Sequence, residues 1–165
     1  MTASRTASFV VGLLIVGVPA LIAIADQTWP EVPNDALTPG SIATSDAAVL
    51  CARDGPSYSR AHRVWRRQRE TMDAYRIPSI LRRQFQDDDR APVCLGGDNA
   101  DPRNHWAQPP DALTADGLGW EAKDRLDDEA CREVCRGQIT SREAQAWFLA
   151  PADWRVEYRR LFGAP

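Results

Sequence analysis

Phe85-Gln86-Asp87-Asp88-Asp89-Arg90-Ala91-Pro92-Val93-Cys94-Leu95-Gly96-Gly97 is the stretch on which the fold of this chain turns. Gln84 to Asp88 and Ala91 to Leu95 each have the length of a short strand, so the segment reads as two strands or one bent one. Gly96-Gly97-Asp98 supplies the turn that closes it. The three consecutive carboxylates are either a solvated acidic turn or the beginning of a cation site.

Outward from this centre the chain is helical. Upstream, Ser59 to Tyr75 carries Val64, Trp65, Met72 and Tyr75 near one face and Arg on the other, and Pro78 ends it. Thr44 to Cys51 reads as a short helix or turn, broken by Asp54-Gly55-Pro56. Downstream, Pro102 to Thr114 reads as loop and Glu121 to Cys135 as a helix, with Gly137 where a left-handed cap belongs. Thr140-Ser141-Arg142-Glu143 is a capping-box pattern opening a helix over Ser141 to Leu149. Asp153 then caps a last helix through Phe162. Residues 26–40 hold Pro30, Pro33 and Pro39 among few apolar anchors and read as an extended, exposed linker. The pattern divides the chain into 1–25, 26–40 and a single domain over 41–165.

The N-terminus sets the compartment. Residues 7–25 carry no charged side chain and Arg5 is the only charge before them, which favours passing the rest of the chain across a membrane. Two fates stay open. Ala23-Ile24-Ala25 suits signal-peptide cleavage before Asp26, whereas nineteen uncharged residues approach the ~20 that span a bilayer as a helix. Either way the domain works outside the cytoplasm, where its four cysteines, Cys51, Cys94, Cys131 and Cys135, read as two disulfides. Cys131 and Cys135 lie one helical turn apart on one face, a geometry that disfavours a bond between them. A zinc site built from all four is the alternative.

A net charge of −3 is uninformative, but its distribution is not. Nineteen of the twenty basic residues are Arg, and Lys123 is the single Lys. Between residues 60 and 83 eight Arg face two acids, Glu70 and Asp73, and between 87 and 129 twelve acids outnumber four bases. A basic stretch beside an acidic one fits phosphate grip next to metal ligands, and fits equally a solvated Arg face paired with acids elsewhere. The chain holds no phosphate loop, no G-x-S-x-G elbow and no H-E-x-x-H.

From Leu37 to Phe162 the chain resembles the small secreted HNH-endonuclease-like proteins of bacteria. The resemblance runs through Leu37-Thr38-Pro39-Gly40, Cys51, Tyr58-Ser59-Arg60 and Tyr75-Arg76-Ile77-Pro78. It continues through Phe85 to Gly97, Asn104-His105-Trp106-Ala107-Gln108-Pro109, Lys123-Asp124-Arg125-Leu126, Val134 to Gln138 and Asp153-Trp154. It implies an α+β fold with a ββα-metal core, in which a hairpin and a helix clamp one divalent cation. Asp88 matches the metal-ligating Asp, Asn104 the residue that steadies the hairpin loop, and Asp89 stands where the family has its general-base His. The resemblance also pairs Cys51 with Cys135 and leaves Cys94 and Cys131 as an additional pair.

The departures bear on chemistry. A carboxyl with a reference pKa of ~3.9 replaces an imidazole of ~6.5, and a neighbouring cation pushes it lower still. Asp89 is thus expected to be a poor base, though it offers Mg²⁺ a second oxygen ligand beside Asp88. No His lies near Glu121, where the second family His falls. His62 reads as solvent-facing and His105 as a partly buried packing residue rather than a ligand.

These readings lead to a disulfide-stapled, degenerate HNH-like domain that is non-catalytic. Its expected role is structural or binding, as an accessory subunit of a membrane-associated protein assembly, with no cofactor. A metal-dependent DNA endonuclease using Asp88 and Asp89 with Mg²⁺ is the alternative. A third reading is a binder of nucleic acid or another anionic surface through Arg60, Arg63, Arg66, Arg67, Arg82 and Arg83.

Overall fold

A computed structural model of the protein describes residues 29–52 and 64–165. The expected signal or anchor, residues 7–25, lies outside the described residues, as do Arg60, His62 and Arg63. Among the described residues no helix is long and apolar enough to cross a membrane.

Among the described residues the architecture is α+β, with five helices and one two-stranded antiparallel sheet. In chain order these are α1 (Ala47–Leu50), α2 (Val64–Ala74), β1 (Gln86–Asp89), β2 (His105–Gln108), α3 (Trp120–Cys135), α4 (Ser141–Ala146) and α5 (Trp154–Phe162). Local chemistry explains most boundaries. Asp46 and Asp153 each accept a backbone N–H from the first turn of α1 and α5, satisfying donors that a helix start leaves unpaired. Thr140 and Glu143 close a reciprocal capping box at α4. Gly137, at φ 70°, takes the left-handed cap after α3. The expected helix over Ser141 to Leu149 is shorter than its sequence pattern, because Trp147 and Phe148 bond three residues back and end the regular turns at Ala146.

The sheet corrects the sequence reading. Only Gln86–Asp89 forms a strand in the central stretch. Pro92 lacks a donor for a ladder, and Val93–Leu95 winds into a 3₁₀ turn closed by Gly96 N–H on Val93 O and Gly97 N–H on Pro92 O. The partner strand is His105–Gln108, inside the segment read as loop. All four of its residues are buried, so it lacks the inside-outside alternation that marks a strand in sequence.

Residues 29–40 do not form an exposed linker. Trp29 packs edge-on against Phe85 with ring centroids 5.9 Å apart, and its Nε1 donates to Leu113 O. Thr38 is buried, its Oγ1 2.7 Å from the Tyr75 hydroxyl and 2.9 Å from His105 O. Arg90, itself buried, donates to Asp35, to Thr38 O and to Phe148 O, tying this segment to the end of β1 and to the C-terminal helices. The segment is retained because its polar groups satisfy partners that the domain would otherwise bury unpaired.

Two apolar clusters flank the sheet. One lies among α3, α4 and α5, around Leu95, Leu126, Phe148 and Trp154. The other lies under the hairpin and α2, around Met72, Tyr75, Phe85 and Trp106. Met72 and Tyr75 face inward, as the helical pattern requires. Disulfides join Cys51 to Cys135 and Cys94 to Cys131. Since none of the four cysteines is free, a four-thiolate zinc site has no ligands to use. Two such bonds indicate an oxidising compartment.

Candidate functional site

β1 and β2 pair so that Asp88 stands opposite Trp106 and Asp89 opposite His105. Successive strand residues point to opposite faces, which splits the three carboxylates between two environments.

Asp87 and Asp89 face α2. Asp87 accepts from Arg67 Nε at 3.1 Å and from Thr71 Oγ1 at 2.8 Å. His105 sits between the two acids, with Nδ1 3.8 Å from Asp87 Oδ1 and 3.2 Å from Asp89 Oδ1, and its Nε2 lies 3.1 Å from Asn99 O. Burial, reinforced by the charge of Asp88, raises the Asp89 pKa to about 7, and burial lowers that of His105. Desolvation outweighs the attraction of Lys123 and Arg67, which brings Asp89 into the range where a carboxyl exchanges protons near neutrality.

Asp88 faces α3 instead. Lys123, fully buried, sets its Nζ 2.9 Å from Asp88 Oδ2 and 2.8 Å from Asp127 Oδ2. The contact with Asp127 is an aligned hydrogen bond, whereas Asp88 Oδ2 makes none. The ring of Phe148 lies 5.4 Å from Nζ. Burial alone would strip the proton from Lys123, but the charges of Asp127 and Asp88 outweigh it and hold the ammonium firmly charged. Oxygens of Asp88, Asp124 and Asp127 all lie within 4.8 Å of one another. Burial pushes Asp127 well above the usual carboxylate range.

The carboxylates that gather around Asp88 are therefore Asp124 and Asp127, not Asp89. Their oxygens are of the kind a hard cation takes. With Lys123 among them, however, a divalent ion would be placed against a fixed positive charge in a buried cluster. The residues present do not fit a bound metal.

Asn104 is fully buried and braces the hairpin connection. Its Oδ1 accepts from Ala91 N–H at 2.9 Å and its Nδ2 donates to Ala91 O at 3.0 Å, with a longer contact to Asp89 Oδ1 at 3.4 Å. Gly97 follows from the same approach, since a side chain there would run into the Ala91 carbonyl and crowd the Asn104 amide.

Two of the expected anionic-surface residues already have partners within the fold. Arg67 is committed to Asp87 and to Asn99 O, and Arg82 to Asp73 and to Ile77 O. Arg83 is exposed, Arg66 lies on α2, and Arg60 and Arg63 lie outside the described residues.

Lys123, Asp124, Asp127 and the ring of His105 were missed as site residues. The signals available were the single Lys among nineteen Arg and the i, i+4 spacing of Lys123 and Asp127. Comparison with known proteins gives no match to a family model, a curated protein or a solved structure.

Proposed function

We propose that this chain is a non-catalytic domain of degenerate HNH type, acting as a structural or binding component of a protein assembly at the outer face of a membrane. One observation carries the reading. The ammonium of Lys123 lies between Asp127 and Asp88, the residue that matches the metal-ligating Asp of the resemblance. A lysine there balances charge and ties the hairpin to α3. It offers no open coordination position to a phosphate oxygen or to water, so it cannot supply the Lewis acidity that phosphodiester hydrolysis requires.

The endonuclease reading retains one point in its favour, the elevated pKa of Asp89, which suits a general base. A plasmid-nicking assay with Mg²⁺, Mn²⁺ or Zn²⁺ near neutral pH separates the two. The non-catalytic reading requires no cleavage above a no-protein blank. Cleavage that disappears in Asp88→Ala overturns it. Affinity purification of the full chain from membranes, with a stoichiometric protein partner as the expected result, tests the assembly role.

A further inference from the structure

We propose that Lys123 and Asp88 are joined by an intramolecular amide bond, with Asp127 relaying the proton. The inference rests on the reading of Lys123 as the residue permanently seated among these carboxylates. It adds that the seat is covalent.

Four observations lead to it. The amine is fully buried, so bulk water is kept from the reacting atoms. Its Nζ stands 2.9 Å from Asp88 Oδ2, so amine and carboxyl are already in contact. Asp127 holds Nζ by a real hydrogen bond at 2.8 Å and so has a path for the proton. Phe148 stands over Nζ and adds an apolar wall. Amine, carboxyl and a second carboxyl enclosed together are the components that amide formation needs.

The step balances without any other reactant. Asp127 takes a proton from the ammonium, and the freed Nζ lone pair attacks Asp88 Cγ to form the N–C bond. One C–O bond of Asp88 breaks, and the oxygen leaves as water with two of the three ammonium protons. The third stays as the amide N–H. Asp127 returns its borrowed proton to the leaving oxygen and ends as it began. Holding both groups in contact raises their effective concentration far above that of a bimolecular reaction. The bond would fix β1 to α3 next to the turn that the Cys94–Cys131 disulfide already staples.

The test is peptide mapping of the full chain after disulfide reduction and trypsin digestion. The expected product joins Gln84–Arg90 to Asn104–Arg125, one water lighter than the two peptides together, with no cleavage after Lys123. Asp127→Asn should yield markedly less of it, and Asp88→Ala none. Separate, unmodified peptides from natively folded wild type overturn the proposal. So does a link that joins Asn104–Arg125 to Leu126–Arg132 through Asp127. If Asp88→Ala fails to fold, the wild-type map alone decides. The outcome is independent of the nicking assay: an unlinked but inactive protein refutes the amide and leaves the non-catalytic reading in place.

Discussion

Asp89 and His105 face each other across the hairpin, with Oδ1 3.2 Å from Nδ1, and both are buried. The two groups respond to burial in opposite senses, because desolvation opposes whichever form is charged. Asp89 is pushed up and His105 down.

A pH dependence follows for Asp89. Its pKa is 3.8 as a free group and about 7 in the fold, so between these values the folded state binds more protons than the unfolded one. The contribution of Asp89 to stability therefore falls as pH rises from about 4 to about 7, and its full penalty is present above that. His105 acts in the opposite direction, disfavouring the fold as pH drops through the ordinary His range. Asp89→Asn removes only the first effect. In urea unfolding with disulfides intact, the variant should gain stability relative to wild type steadily across that window and then level off. A difference that is flat from about pH 4 to 7 contradicts the assignment.

Lys123→Met leaves Asp88 and Asp127 buried without their counter-charge. Removing one partner of a buried ion pair costs roughly 3–5 kcal/mol, and chemical denaturation at neutral pH measures it. A loss below about 1 kcal/mol would place the pair in a solvated setting instead.

Cation binding should respond in the opposite direction. Wild type is expected to show no shift in melting temperature with Mn²⁺. Lys123→Gln frees the oxygens of Asp88, Asp124 and Asp127, which lie within 4.8 Å of one another, and should be stabilised by Mn²⁺ in a concentration-dependent way. Equal shifts in both proteins would show that Lys123 does not exclude the ion.

Asn104→Ala leaves the Ala91 N–H and carbonyl without their side-chain partner, in the interior. Each buried group left unsatisfied costs about 1–3 kcal/mol, so a loss of roughly 2–4 kcal/mol is expected. Thermal or denaturant unfolding reads it directly.

Replacing Cys94 and Cys131 together with Ser should cost about 2–4 kcal/mol. The same change at Cys51 and Cys135 should cost slightly more, since that bond closes a span of 84 residues against 37. Unfolding midpoints of the two double variants give the order.

The sequence by itself determined where the helices lie and several of their caps. The Thr140–Glu143 box and the Asp153 cap act over two or three residues, and the backbone groups they satisfy are fixed by chain position alone. The cysteine pairing was legible too, through the resemblance together with an even cysteine count. Tertiary structure alone decided the partner of β1 and the occupant of the acidic cluster. His105–Gln108 becomes a strand because pairing with β1 and packing against α2 leave all four of its residues buried, and such burial erases alternation. Lys123 and Asp88 meet across a hairpin and a long connection. Their attraction is a property of the enclosed space, where low polarity makes one ammonium worth far more than it is on an exposed helix. No spacing in the chain encodes that.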